Sequence, residues 1–190
     1  MKSRIPVDER ALYFHMGEDG GEFTAVEAAL KSLRIPVRRL SASCLDETLG
    51  ALAAPTWTAP AETGTAPEGS FRDALIFCSL TRPRLDEALA ALKKAQAGGG
   101  ALKAVLTGHN QSWRMRTLIG ELEKEDALMN RYQQLHLLMK GAVSVFEKNP
   151  NDSLADALER AQAALNSREP SLQALQEAEE ALRGLLEVSS

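Results

Sequence analysis

Polar and basic side chains are concentrated in two short segments, each of which follows a run of apolar residues. The segments are "LTRPR" at 80–84 and "GHNQSW" at 108–113. Together they supply the candidate ligand-binding residues Arg82, Arg84, His109, Asn110, Ser112 and Arg114. Guanidinium groups beside the free N–H groups of a helix start form a pocket that suits anions. One interpretation of these residues is therefore a small anion site.

The second segment also has a purely structural interpretation. Asn110 or Ser112 would cap the following helix, because short polar side chains accept hydrogen bonds from the first N–H groups of a helix. Trp113 would fill the boundary between the preceding domain and the following helices, and the arginines would stay in water. The pattern favours this structural interpretation, and both interpretations remain open on the sequence alone.

Three residues at predicted strand ends have side chains that could ligate a metal, namely His15, Cys78 and His109. A His–Cys–His set can hold zinc, but these residues lack tight motif spacing, and we expect packed side chains and no metal. The glycine-rich segment "GEDGGEF" lacks the spacing of a phosphate-binding loop, and the chain has no GxSxG or HExxH motif. We therefore expect no catalytic set and no cofactor.

Four runs rich in branched and aromatic residues, at 11–16, 36–42, 73–79 and 103–107, are typical of strands. Leucines at helical spacing separate the first run from the second and the third from the fourth. Strand–helix–strand units pair their strands in parallel through right-handed crossovers. The sequence therefore predicts an α/β fold, a small three-layer domain with a four-stranded, mainly parallel sheet. The candidate loops would then lie at its carboxyl edge, where such sheets bind ligands.

The predicted α/β domain spans residues 1–112. It includes one long segment, 55–70, that is crowded with Pro, Thr, Gly and Ala and predicts a flexible surface loop. Residues 113–190 show no strand pattern and predict an α-helical C-terminal region, a bundle or hairpin that follows the sheet domain.

The first C-terminal helix is predicted from Met115 to about residue 148, where "NPND" ends it, and it carries a heptad pattern. The two rows of the pattern are Met115, Leu122, Met129, His136 and Val143, and Leu118, Glu125, Tyr132, Met139 and Phe146. Further apolar residues lie off this seam, and a helix that is apolar on two sides must be covered on two sides. If the later helices cannot cover both, we expect a symmetric dimer to bury the remainder.

Composition argues against several classes of protein. The chain has 22 Lys and Arg against 26 Asp and Glu, so it lacks the cationic excess of a nucleic-acid-binding protein. No apolar run approaches the roughly 20 residues of a membrane span, and the first residues, "MKSRIPVDER", lack the apolar stretch expected of a signal peptide. Cys44 and Cys78 have no CxxC spacing and predict free thiols. We expect a cytoplasmic protein that binds neither membrane nor nucleic acid.

Within residues 73–126, the strand "LIFCSL" precedes "KAVLT", Asn110 and Trp113, and a helix with Leu118, Leu122 and Glu125 follows. This stretch resembles the small bacterial DUF3783 family. The family pattern has a Thr directly after the Trp, where this chain has Arg114, so the helix cap must lie elsewhere. The family has no known activity, and the resemblance implies a bacterial domain without implying a reaction.

The sequence favours a bacterial, cytoplasmic and non-enzymatic protein, a binding or regulatory module that associates through its C-terminal helices. Its partner would be a second copy, as a homodimer, or an unidentified protein. The alternative is a small anion- or nucleotide-binding or enzymatic domain that uses the carboxyl edge of the sheet.

Overall fold

The computed structural model describes residues 8–17, 21–60 and 69–188, so the middle of the predicted surface loop, at 61–68, lies outside the described residues. The chain divides into two compact units, Met1–Glu123 and Lys124–Ser190. We name them the α/β unit and the helical unit. Among the described helices, none combines the length and the apolar content that a membrane span requires.

Four strands and six α-helices make up the described chain. In order they are β1 (Arg10–Phe14), α1 (Gly21–Lys31), β2 (Val37–Leu40), α2 (Leu49–Ala53), β3 (Ala74–Cys78), α3 (Arg82–Ala95), β4 (Leu102–Val105), α4 (Met115–Lys148), α5 (Asp152–Leu165) and α6 (Leu172–Val188), with a short 3-10 turn at Ala42–Cys44. Each strand overlaps one of the four predicted runs. The predicted α/β class is therefore confirmed.

The sheet is mixed, with strand order β2-β1-β3-β4. The pairs β1–β2 and β3–β4 are parallel, but β1 and β3 are antiparallel at the centre, with Arg10 opposite Cys78 and Phe14 opposite Ala74. The expectation of a mainly parallel sheet is therefore wrong at the central pair. A strand's apolar pattern specifies which face is buried and not the direction in which the strand enters the sheet.

Two sets of helices cover the two faces of the sheet and complete three layers. Helices α1 and α3 pack on one face against Tyr13, Leu75 and Phe77, whereas α2 and the first turns of α4 pack on the other face against Leu12 and Ile76. Every residue of β1 and β3 is buried. Burying a large apolar side chain contributes about 1.5–3 kcal/mol, so the central strand pair is a major source of the unit's stability.

The first residues of α2 and α4, and the residues just before them, are joined by four backbone hydrogen bonds of 2.8 to 3.0 Å. They run from Leu49 N–H to Trp113 O, from Gly50 N–H to Gln111 O, from Met115 N–H to Glu47 O and from Arg116 N–H to Leu45 O. The bonds correspond in pairs, with positions in the two halves 66 residues apart. Donors 49 and 50 correspond to donors 115 and 116, and acceptors 47 and 45 correspond to acceptors 113 and 111. The two strand–helix–strand halves thus follow the same path about an approximate two-fold axis.

The helical unit contains the later turns of α4 together with α5 and α6. Its core is Leu135, Ala142, Leu154, Ala157, Ala161, Leu165, Leu175, Ala178 and Leu182. Helix α5 begins after Pro150, and the side chain of Asn151 accepts a hydrogen bond of 2.9 Å from the N–H of Leu154. This cap satisfies one of the N–H groups that a helix start leaves without an intrahelical partner.

Candidate functional site

The two loops predicted to bind a ligand follow β3 and β4, which are parallel neighbours, so both begin at the same edge of the sheet. Arg84 lies at the start of α3 and donates to the Glu9 carboxylate at 2.9 Å, to the Glu87 carboxylate at 2.8 Å and to the Leu33 carbonyl at 2.8 Å. These two carboxylates raise the pKa of Arg84 above its ordinary value. Arg84 therefore joins α3 to Glu9, just before β1, and to Leu33, just after α1.

The other arginines pair with separate carboxylates. Arg82 is exposed and lies 3.5 Å from Asp86, four residues further along α3. Arg114 and Arg116 share Asp46, at 3.5 and 2.7 Å. The structure thus holds the guanidinium groups of the two loops against different acidic partners, and the ligand-binding role of this set stays a prediction.

Asn110 stabilises its own loop and not the helix that follows. Its Oδ1 accepts from the Thr107 N–H at 2.8 Å, and its Nδ2 donates to the Val105 carbonyl at 3.0 Å. The first N–H groups of α4 instead donate to backbone carbonyls before α2, as described above. The predicted side-chain cap is replaced by backbone pairing with a segment more than sixty positions away, and Ser112 is exposed.

Trp113 is half-buried against the core of the α/β unit. Its ring meets the edge of the His109 ring, with 5.3 Å between ring centroids. Since the N–H groups of Met115 and Arg116 are also occupied, this helix start does not offer them to an anion. The segment 108–113 therefore works as a turn that positions Trp113 and α4.

His15 and Cys78 lie at opposite ends of the central strand pair, because β1 and β3 run antiparallel. The His15, Cys78 and His109 set is therefore not assembled, and the described part of the chain holds no group of three His, Cys, Asp or Glu side chains placed for a metal. Burial raises the pKa of Cys78 to about 11, while the neighbouring arginines Arg10 and Arg38 oppose this shift. At neutral pH the Cys78 thiol is protonated and packed.

A different cluster forms where β1 ends and β3 begins. The Tyr13 O–H donates to Asp73 Oδ2 at 2.8 Å, and His15 Nδ1 lies 2.8 Å from Asp73 Oδ1. Burial, followed by the hydrogen bond to the Asp73 carboxylate, raises the pKa of Tyr13 above its ordinary value. His15 Nε2 is buried and has no hydrogen-bond partner among the described residues, and a Cβ on Gly17 would lie 2.8 Å from it.

This His–Asp pair resembles the orienting half of a catalytic triad, but the Gly17 backbone covers the nitrogen that would have to reach a substrate. The cluster therefore fastens the end of β1 to the start of β3. Sequence reasoning missed it, since His15 and Asp73 are 58 positions apart and only the antiparallel pairing of β1 with β3 brings them together.

In the helical unit, a groove of about 720 Å³ lies between α4 and α6 and is open to solvent. Its lining residues are Arg131, Gln134, Leu137, Leu138, Glu179 and Arg183. Glu179 is only 5% exposed and accepts from Arg131 at 2.7 Å and from Arg183 at 2.6 Å. The buried carboxylate thus holds two guanidinium groups at the groove wall.

One row of the predicted heptad pattern on α4 faces solvent within the helical unit. Met129 is 56% exposed and Val143 is 41% exposed, and His136 between them is also exposed. We name these three residues the α4 row. The neighbouring heptad positions Tyr132, Met139 and Phe146 are half-buried against the core of the unit. The α4 row therefore contains two apolar side chains, Met129 and Val143, that the described chain does not cover.

Comparison with known families recognises part of this chain. Residues 73–129 match the family model of DUF3783, a domain of unknown function. The predicted resemblance is confirmed, with a boundary three residues further on. No curated protein and no solved structure matches the chain.

The DUF3783 segment contains β3, α3, β4 and the first turns of α4. It therefore includes both candidate loops and the second of the two equivalent halves of the sheet. The first half lies outside the DUF3783 match, although its backbone follows the same path. The groove and most of the α4 row also lie beyond it, since both consist mainly of residues after 129.

Proposed function

We propose that this chain is a non-enzymatic binding module that associates with a second copy through α4 of its helical unit. The observation that carries the proposal is the exposed α4 row. Met129, His136 and Val143 recur every seven residues, which is the spacing at which one helix packs along another. Met129 and Val143 expose apolar side chains on one side of α4, and burying them against a second helix would remove that apolar surface from water. The bacterial, cytoplasmic setting expected from the sequence stays a prediction.

Charges beside the α4 row favour an antiparallel pair of helices. When Met129 of one copy lies opposite His136 of the other, positions four residues beyond His136 face positions four residues before Met129. Those positions hold Lys140 and Glu125. Each copy then places a Lys140 ammonium near the Glu125 carboxylate of the other, and the two-fold symmetry of the contact forms this pair twice.

Light scattering of the full chain across a range of concentrations tests the proposal. We expect a mass twice 20.6 kDa at high micromolar concentration. Met129→Lys should shift the equilibrium to monomer, because it places a charge in the buried seam. Leu172→Lys is the matched control, since Leu172 is an exposed leucine on α6, outside the row. A wild-type chain that stays monomeric at high micromolar concentration contradicts the proposal.

Charge exchange tests the antiparallel arrangement itself. Lys140→Glu and Glu125→Lys should each weaken association, because each puts like charges opposite one another across the pair. The double variant should recover association. If both single variants associate as the wild type does, the two copies do not meet in this register.

A further inference from the structure

The groove of the helical unit is a second surface, on a different side of α4 from the α4 row. Leu137 follows His136 directly, and consecutive residues of a helix point about 100° apart. Leu137 is 67% exposed, the largest exposure among the large apolar side chains of the described chain. The Arg131–Glu179 ion pair helps to join α4 to α6, but it does not explain why a leucine beside it is exposed.

The groove is positively charged, whereas the unit around it is negatively charged. Two guanidinium groups surround the single Glu179 carboxylate, which leaves a net charge of +1. A guanidinium has about five N–H donors, and the contact with Glu179 uses one nitrogen of each arginine. Residues 124–190 contain 7 Lys and Arg but 11 Asp and Glu. The groove is therefore a local site of positive charge to which a carboxylate is attracted.

Glu179 also fixes where the two guanidinium groups lie. Its side chain is 95% buried and pairs with Arg131 of α4 and with Arg183 of α6, so it holds both guanidinium groups in place. Guanidinium groups that are already positioned lose little conformational entropy when they bind a carboxylate. The stretch of α4 from 131 to 138 that lines the groove is about 10 Å long, at about 1.5 Å per residue. This length matches two turns of a partner helix.

We propose that this groove binds an acidic amphipathic helix of another protein. A partner carboxylate lies against Arg131 and Arg183, and an apolar side chain three or four positions away packs on Leu137 and Leu138. An apolar helix face in a groove gives affinity, and the charges select the partner and its orientation. A second copy of this chain is instead proposed to bind at the α4 row, and the test below distinguishes the two occupants.

Fluorescence anisotropy with the full chain tests this proposal. The probe is a labelled synthetic helical peptide with leucine and glutamate at three- and four-residue spacing, and the comparison peptide has lysine in place of glutamate. We expect the glutamate peptide to bind and the lysine peptide not to bind. Arg183→Met and Leu137→Ser should each weaken binding by about tenfold or more. Arg183→Met leaves Glu179 its partner Arg131, and circular dichroism verifies that the helices persist.

Arg160→Met is the matched control, because Arg160 is exposed on α5 and does not line the groove. It should bind the peptide as the wild type does. Absence of binding, or equal loss in the Arg160 variant, contradicts the proposal. The monomeric Met129→Lys variant separates this proposal from self-association, since it should still bind the peptide. If Arg183→Met instead abolishes self-association and the peptide does not bind, a second copy occupies the groove and the proposal is wrong.

Discussion

Replacing Asp73 by Ala should destabilise the α/β unit more than its position in a connecting segment suggests. Asp73 accepts from the Tyr13 O–H at 2.8 Å and contacts His15 Nδ1 at 2.8 Å. Tyr13 is fully buried, so its O–H would lose its only partner in the described structure and could not reach water freely. A buried donor left without an acceptor costs about 1–3 kcal/mol. Because the Asp73 side chain is itself 27% exposed, we expect about 2 kcal/mol.

Tyr13→Phe is the informative comparison, since it removes the donor and leaves Asp73 bound to His15 and partly hydrated. It should cost about 0.5–1.5 kcal/mol, the net value of an ordinary hydrogen bond. In the double variant the two losses of unfolding free energy should not add, because both substitutions remove the same hydrogen bond. The difference from additivity, the coupling energy, should be about 0.5–1.5 kcal/mol.

Urea unfolding followed by tryptophan fluorescence measures these energies in the relevant unit, because Trp57 and Trp113 are the chain's two tryptophans and both belong to the α/β unit. Asp86→Ala provides the control, as Asp86 is an exposed acid paired with Arg82 on α3. If Asp73→Ala is no more destabilising than Asp86→Ala, Asp73 does not fasten β1 to β3.

Three further predictions concern pH, ion pairs and thiol chemistry. The raised pKa of Tyr13 means that the folded state keeps the phenol proton where the unfolded chain, with an ordinary value of 10.0, releases it. The free energy of unfolding should therefore fall as pH rises above 10. In the Tyr13→Phe variant it should fall less steeply, as measured by urea titrations at each pH. Arg84→Ala should lower the melting temperature more than Arg82→Ala does, because Arg84 joins Glu9, Glu87 and a backbone carbonyl, and equal shifts would contradict that role. Cys78 should react slowly with a thiol reagent at neutral pH, because it is buried and its pKa is raised to about 11, so rapid modification of the folded chain would show that the site opens.

The local pattern of the chain was sufficient to locate the strands and the long helix. Apolar residues that alternate or repeat at helical spacing show which face must be buried, and that requirement is local. The heptad rows on α4 were visible for the same reason. Which of the two rows would be covered was not visible, since that depends on where α5 and α6 pack.

The candidate site depends on contacts between distant segments, which residue types alone do not predict. The residues at 108–113 were recognised as a turn or a site from their composition, but the partner of the helix start was predicted to be Asn110 or Ser112. The carbonyls of Leu45 and Glu47 take that role. Every residue type carries a backbone carbonyl, so residue types do not show which carbonyl will accept the hydrogen bond. Likewise, Arg131, Glu179 and Arg183 lie on two helices and form a cluster only when those helices pack.

The sequence by itself determined the α/β class, the strand positions, the helical C-terminal region and the DUF3783 resemblance, because each depends on residues close together in the chain. Only the tertiary structure decided the direction of β3 relative to β1. That one reversal separates His15 from Cys78, joins His15 to Asp73 and relates the two halves by an approximate two-fold axis. The physical reason is that strand direction depends on contacts between distant segments, whereas both directions bury the same apolar face.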